Sequence, residues 1–130
     1  MADPTLVAPD TVGLVIGWLS GRMTVPVSSK VPNPRPAAFL VVKNLGGPGR
    51  SVISDRPTIS VEAWSDTARN ALLLAQQARG HMWDMASRVI GSQTVYSVTD
   101  IGSPGDLPDP DSAQSRATFT VEVRLRLAAS

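Results

Sequence analysis

Apolar positions recur along the chain with two different periods, and the change of period marks the elements. Val12, Val15, Ile16 and Leu19 fall at i, i+3, i+4 and i+7, one face of a helix. Asp10 stands before them as a cap and Gly21 after them in the C′ position, so the spacing predicts a helix ending near Ser20. Gly13 and Gly17 each weaken it by about 1 kcal/mol relative to Ala. Four apart, they leave room for close backbone packing, although such a pair is more often incidental. Residues 22–36 read as a short extended piece followed by a stiff connection, because each proline of Val31-Pro-Asn-Pro-Arg-Pro36 pushes its predecessor out of helical angles. Residues 37–42 are almost continuously apolar, a strand buried on both faces.

Leu45-Gly-Gly-Pro-Gly-Arg50 reads as a turn or loop. In residues 57–64 the period becomes two. Ile59, Val61 and Ala63 share one face, and Thr58, Ser60, Glu62 and Trp64 the other, a half-buried strand. Ser65 or Asp66 then caps the strongest predicted helix, residues 67–89. Its apolar stripe is Ala68, Ala71, Leu72, Ala75, Ala78, Met82, Met85 and Ala86, and Gly91 ends it. Asp66 lies near its positive end, Arg79 and Arg88 toward its negative end. A strand over 94–100, a polar Pro-rich loop over 102–115 and a last strand over 117–127 complete the chain. That last strand alternates without a fault, with Phe119, Val121, Val123, Leu125 and Leu127 pointing one way. Its length suggests that one end pairs or packs outside the protomer. The expected fold is α+β: an antiparallel or mixed sheet of four to five strands with two helices, in the order α-β-β-β-α-β-β. Residues 1–130 form one domain, with residues 1–8 as a loose leader.

Composition narrows the chemistry. The chain has no cysteine and a single histidine, His81. Disulfides, thiolate nucleophiles and Cys-based zinc sites are excluded, and no second histidine exists to build a triad. No serine sits in a G-x-S-x-G turn. His81 therefore reads as a helix-surface or interface residue, and Met82, Trp83 and Met85 as core and helix flank. Asp106, Asp109 and Asp111 cluster in Asp106-Leu-Pro-Asp-Pro-Asp111, but an EF-hand loop begun at Asp109 meets Gln114 and Thr120 where Gly and Glu are needed. Begun at Asp111, it has Glu122 in place but Arg116 where Gly is required. The cluster reads as a solvated acidic loop, with a looser cation site as the lesser alternative. The Gly46–Arg50 stretch lacks the Gly-Lys-Ser/Thr ending of a phosphate-binding loop, and no helix follows it. No catalytic, cofactor or metal residue is assigned. No apolar run approaches the ~20 residues of a membrane span, and the N-terminus lacks the basic region of a signal peptide.

Charge is more informative by place than by total. The net charge is only +1, so general affinity for nucleic acid is not expected. Arg22, Lys30, Arg35, Lys43, Arg50 and Arg56 nevertheless share one segment with a single acid, Asp55. Asp100, Asp106, Asp109 and Asp111 share another with no base. Arginine outnumbers lysine, and its planar fork is enriched at interfaces. Opposite-sign patches on one protomer suit a head-to-tail contact, although two solvated loops are an equal reading of charge alone. The candidate interface residues are Arg35, Arg50, Arg56, Asp106, Asp109 and Asp111.

The ordered set of segments resembles a known family. Val31-Pro-Asn-Pro-Arg-Pro36 precedes Phe39-Leu-Val-Val42. Arg56-Pro-Thr-Ile-Ser-Val-Glu-Ala-Trp64 leads into the Ala-rich helix carrying Leu74-Ala-Gln-Gln-Ala-Arg79. Thr94-Val-Tyr-Ser-Val98, Leu107-Pro-Asp-Pro-Asp-Ser112 and Arg116-Ala-Thr-Phe-Thr-Val-Glu-Val123 follow. Together, over about residues 10–127, they resemble the tail terminator proteins of long-tailed, siphovirus-type bacteriophages, particularly those of actinobacteria. The resemblance implies a virion protein, assembled in the host cytoplasm, that forms a ring, commonly a hexamer. Such a ring caps the tail tube, stops its polymerisation and joins the tail to the neck. The implied partners are other copies of the chain, the major tail tube protein and the head–tail connector, with DNA passing through the lumen rather than being read. No catalytic residue or cofactor is carried over. The nearest alternative is a head-closure or head–tail adaptor protein. A more distant one is a small-ligand or nucleic-acid-binding module using residues 22–56, where Phe39 is the only aromatic for base stacking.

Overall fold

Residues 5–107 and 113–129 are described by the computed structural model. The fold is α+β. Eleven elements follow in the order β1 (Leu6–Val7), α1 (Thr11–Ser20), β2 (Val27–Ser28), β3 (Phe39–Asn44), β4 (Ser54–Asp55), β5 (Thr58–Ser65), α2 (Ala68–Trp83), β6 (Arg88–Ile90), β7 (Gln93–Asp106), β8 (Ser115–Arg126) and β9 (Ala128–Ala129). The main sheet runs β2-β3-β5-β8-β7-β6, with β4 also paired to β8, so it holds more strands than the four to five expected. Only β2–β3 is parallel. β1 and β9 form a separate antiparallel pair, which ties down part of the expected loose leader.

The alternating side chains of β8 lead the core. Phe119, Val121, Val123 and Leu125 are buried with Ile59, Val61 and Ala63 of β5 and Leu40 and Val42 of β3. Both helices cover this face. Helix α2 meets it through Ala71, Ala75, Ala78 and Met82, all fully buried. Helix α1 adds Val15, Trp18 and Leu19. Asp10 caps α1 as the sequence suggests, its Oδ1 accepting from the Gly13 amide at 3.0 Å. Gly21 closes that helix in a right-handed conformation (φ −76°), without the left-handed turn expected of a C′ glycine. Gly17 has open space around it, so the Gly13/Gly17 pair packs against no backbone there.

Three boundaries differ from the sequence reading. Thr67, not Ser65 or Asp66, caps α2, accepting from the Asn70 amide at 3.1 Å. Asp66 instead accepts from the Asn70 side chain, which with Ser65 holds its carboxyl below the usual range. Helix α2 also stops at Trp83, short of Val89. The chain turns through Ser87 at φ 60° into β6, and Gly91 (φ 63°) opens a two-residue hairpin between Ile90 and Gln93 instead of ending a helix. Met85 stays buried within the turn, which is why the helical period runs past the helix's end. Finally, β7 continues to Asp106 through a stretch expected to be loop. Register shifts between Asp100 and Gly102 and between Gly102 and Gly105 absorb Pro104, as β-bulges do.

The second face of the sheet is also partly covered. Strand β5 is buried on both faces rather than half-buried. Phe39, Val41 and Trp64 form a small apolar cluster there. The Phe39 and Trp64 rings stack with centroids 5.4 Å apart, and the Arg35 and Arg116 guanidiniums lie 5.1 and 4.9 Å from the Trp64 ring. The Pro-rich connection is fastened over them by the Gln114 amide, which donates to the Pro36 and Ala37 carbonyls at 2.9 and 3.0 Å. Glu62 is buried between Lys43 and Arg116, each 3.5 Å away. The overlong β8 presents no free edge along this sheet, since β5 and then β4 flank it on one side and β7 on the other.

Helix and sheet are clamped by Asp100 on β7, which is ion-paired to Arg79 and accepts from Trp83 Nε1 at 3.1 Å. Arg79 lowers the Asp100 carboxyl below its usual range, and Trp83 adds to this. A depressed carboxyl contributes stability above its unfolded-state pKa of about 3.9 and loses it as pH falls through the native value. Asp100→Asn is therefore expected to lower Tm by a few degrees at pH 7. The difference from wild type should close below about pH 4, as thermal melts across pH will read; a constant difference down to the lowest pH contradicts the ion pair.

Candidate assembly surface

The antiparallel pairing of β4 with β8 brings together residues distant in sequence. Ser54 and Asp55 lie opposite Arg126 and Leu125. Beside them opens a cleft of about 440 Å³ lined by Arg50, Ser51, Ser54, Arg56, Ser97, Glu122 and Arg124. Its floor is Ser54, only 1% exposed, whose hydroxyl is 2.9 Å from that of Ser51 and accepts from Arg124 Nε at 3.3 Å. The Arg124 guanidinium also lies 5.4 Å from the Tyr96 ring centroid. Arg50 donates from Nη1 to the Leu6 carbonyl at 2.8 Å and from Nε to the Ser51 carbonyl at 3.2 Å. Arg56 is exposed. Among the described residues, none of these three arginines forms an ion pair. Glu122 is the one acid lining the cleft.

The loop before β4 sets this geometry. Leu45 and Thr58 exchange backbone bonds with the chain across from them: Leu45 N–H to the Thr58 carbonyl at 2.8 Å, and Thr58 N–H to the Gly46 carbonyl at 2.6 Å. The Gly46 amide is taken by Asn44 Oδ1 at 2.8 Å. The glycine-rich turn thus spends these groups on holding the loop to β5, in keeping with its reading as a loop.

The candidate interface residues divide between the two ends of β8. Arg50 and Arg56 lie at its C-terminal end, joined there by Arg124, which the charge count along the sequence missed. Asp106 is exposed at the other end, opposite Ala117, next to the partly exposed Leu107. Ala117 and Arg124 are about 23 Å apart along the strand at ~3.3 Å per residue. Arg35 belongs to the Asp106 end, beside Trp64 and 3.5 Å from Gln114 Oε1, so the basic segment of the sequence is not one patch. Lys43 is occupied by Glu62, and Asp100 leaves the acidic group for Arg79. Asp109 and Asp111 lie outside the described residues.

The single histidine, His81, lies in the last turn of α2. Its carbonyl accepts from Trp18 Nε1 at 2.7 Å, anchoring α1 on α2. A second basic hollow, about 600 Å³, lies beside Trp18, where Arg22 and Arg88 stand 3.1 and 5.7 Å from its ring centroid. Both arginines are spent locally, Arg22 on the Trp18 carbonyl and Arg88 on that of Asp84. Among the described residues, no three His, Asp or Glu side chains converge to hold a metal, and no helix is long and apolar enough to cross a membrane. No protein-family model and no curated protein matches the chain.

Proposed function

We propose that this chain is a structural assembly protein of the phage tail-terminator type. It forms a ring that caps the tail tube, halts its growth and offers the other face to the neck. The observation that carries this reading is the separation of charge along β8. Among the described residues, a cleft lined by three arginines without an ion pair sits at one end, and at the other stands the exposed Asp106, also without an ion pair, with Arg35 and Arg116 nearby over the Trp64 ring. A heterologous contact of this kind closes into a ring or runs on as a filament, whereas a two-fold contact pairs the two ends reciprocally and stops at a dimer. The sequence resemblance over residues 10–127 supplies the setting. In this reading the protein acts by contact alone, with no substrate, cofactor or metal.

Electron microscopy of phage lacking the protein tests it. The expected result is overlong tails, free of heads. Tails of normal length that fail to join heads would move the protein to the head-closure or adaptor role. Normal tails joined to heads would remove it from the neck altogether.

A further inference from the structure

We infer that the Arg50–Arg56–Arg124 cleft is a socket for the Asp106 end of a second copy of this chain. The inference deepens the ring-forming role and rests on it. The socket is built before any partner arrives. Arg50 is pinned to two carbonyls and Arg124 to the buried Ser54 hydroxyl, so neither loses much freedom on docking. Among the described residues Arg56 has no side-chain hydrogen bond or ion pair, and its fork has the geometry that takes a carboxylate through two parallel hydrogen bonds.

Each end also carries exposed apolar side chains, and each holds a charge of the opposite sign to its main one: Glu122 in the cleft, Arg116 beside Leu107. Val52 and Ile53 follow Arg50 in the same loop and are 81% and 54% exposed. Leu107 beside Asp106 is 37% exposed. An apolar contact ringed by charge pairs is the usual anatomy of a specific interface. Strand addition is the competing route, because β6 pairs only with Gln93–Val95 and residues 96–106 of β7 have β8 alone beside them among the described residues. Main-chain pairing along that edge gives no reason for reversal at Asp106 to be rescued by reversal at Arg56, so charge exchange separates the two routes. Glu122 in the cleft disfavours a run of phosphates and gives a protein partner one position for a cation.

The test is a charge exchange in the full chain. Sedimentation velocity should find self-association that weakens as salt rises. Arg56→Glu or Asp106→Arg alone should weaken it roughly tenfold or more, and the two together should restore it in part. Association unchanged by either reversal, or a double variant no better than the worse single one, overturns the inference. Because the chain has no cysteine, cross-linking gives a second readout. An Arg56→Cys/Asp106→Cys protein should form a bis-maleimide ladder, and an Arg69→Cys/Asp106→Cys protein should not. Absence of a ladder at high protein concentration, or equal ladders, also overturns it. So does tight binding of inorganic phosphate to a cleft whose reversals leave association intact. The phage phenotype reads the tail role separately. Charge exchange with normal tails keeps the contact and removes the role, and abnormal tails without charge exchange do the reverse.

Discussion

Phe119→Ala should lower the unfolding free energy by about 3–5 kcal/mol, the upper range for truncating a buried aromatic. Phe119 is 1% exposed at the middle of β8, paired with Val61 of β5. The cost of such a truncation depends on how far the neighbours can move into the space. Helix α2, which packs across β5, β7 and β8, presents alanines there: Ala71, Ala75 and Ala78. Alanine has no rotamer to swing, so collapse would need the whole helix to shift against the sheet, and the Arg79–Asp100 and Trp83–Asp100 contacts oppose that. A domain of this size holds only about 5–15 kcal/mol in total, so a fall in Tm of roughly 10–20 °C is expected. Denaturant titration of Phe119→Ala beside Phe119→Leu measures the effect. A loss below about 1.5 kcal/mol for the alanine variant would mean that the helix does close over the gap.

The same alanine helix shows what the sequence could reveal. Its existence and its buried stripe were legible because Ala71, Ala75, Ala78 and Met82 keep the helical period. Its end was not, because Met85 is buried by a turn that happens to continue that period. The break falls at Ser87, a non-glycine residue at positive φ with no distinguishing chemistry in the sequence. Strand β8 was legible because one face is buried from Ala117 to Leu125 without interruption. Strand β7 was legible only as far as Asp100. Beyond it, Gly102, Pro104 and Gly105 are the residues that normally stop strands, and here they sit in bulges. The Trp64 face of β5 was misread for a different reason. Its alternation is real, but its second face is covered by a segment some thirty residues earlier in the chain (residues 31–38) and by Arg116.

The candidate surface was half legible. The sequence separates the charges by sign, and Arg50, Arg56 and Asp106 emerge from that separation. It cannot say which charges are already neutralised, and pairing within the chain removes Lys43 and Asp100 from consideration. It also cannot supply Arg124, because that side chain reaches the cleft through the β4–β8 pairing, about seventy residues away from its partners. Nonlocal antiparallel pairing decides both points, and no local pattern encodes it.

Gly47→Ala should cost more than its place in an exposed loop suggests, about 1–3 kcal/mol, and should weaken self-association as well. A Cβ on Gly47 would overlap the Arg56 carbonyl oxygen and lie 3.1 Å from Arg56 C and 3.2 Å from Pro57 Cα. Both sides of this contact are backbone, so no side-chain rotation relieves it. The loop cannot lift away freely either, because the Leu45–Thr58 and Thr58–Gly46 bonds hold it to the start of β5. On the other side, the Pro57 carbonyl accepts from the Val123 amide at 3.0 Å, which fixes the Arg56–Pro57 corner to β8. The strain must therefore move the corner that aims Arg56 into the cleft. Thermal melts and sedimentation velocity on the one variant read the two effects together. A wild-type Tm would show that the two backbones do not approach so closely. A lowered Tm with unchanged association would show that the position of Arg56 does not govern the contact between copies.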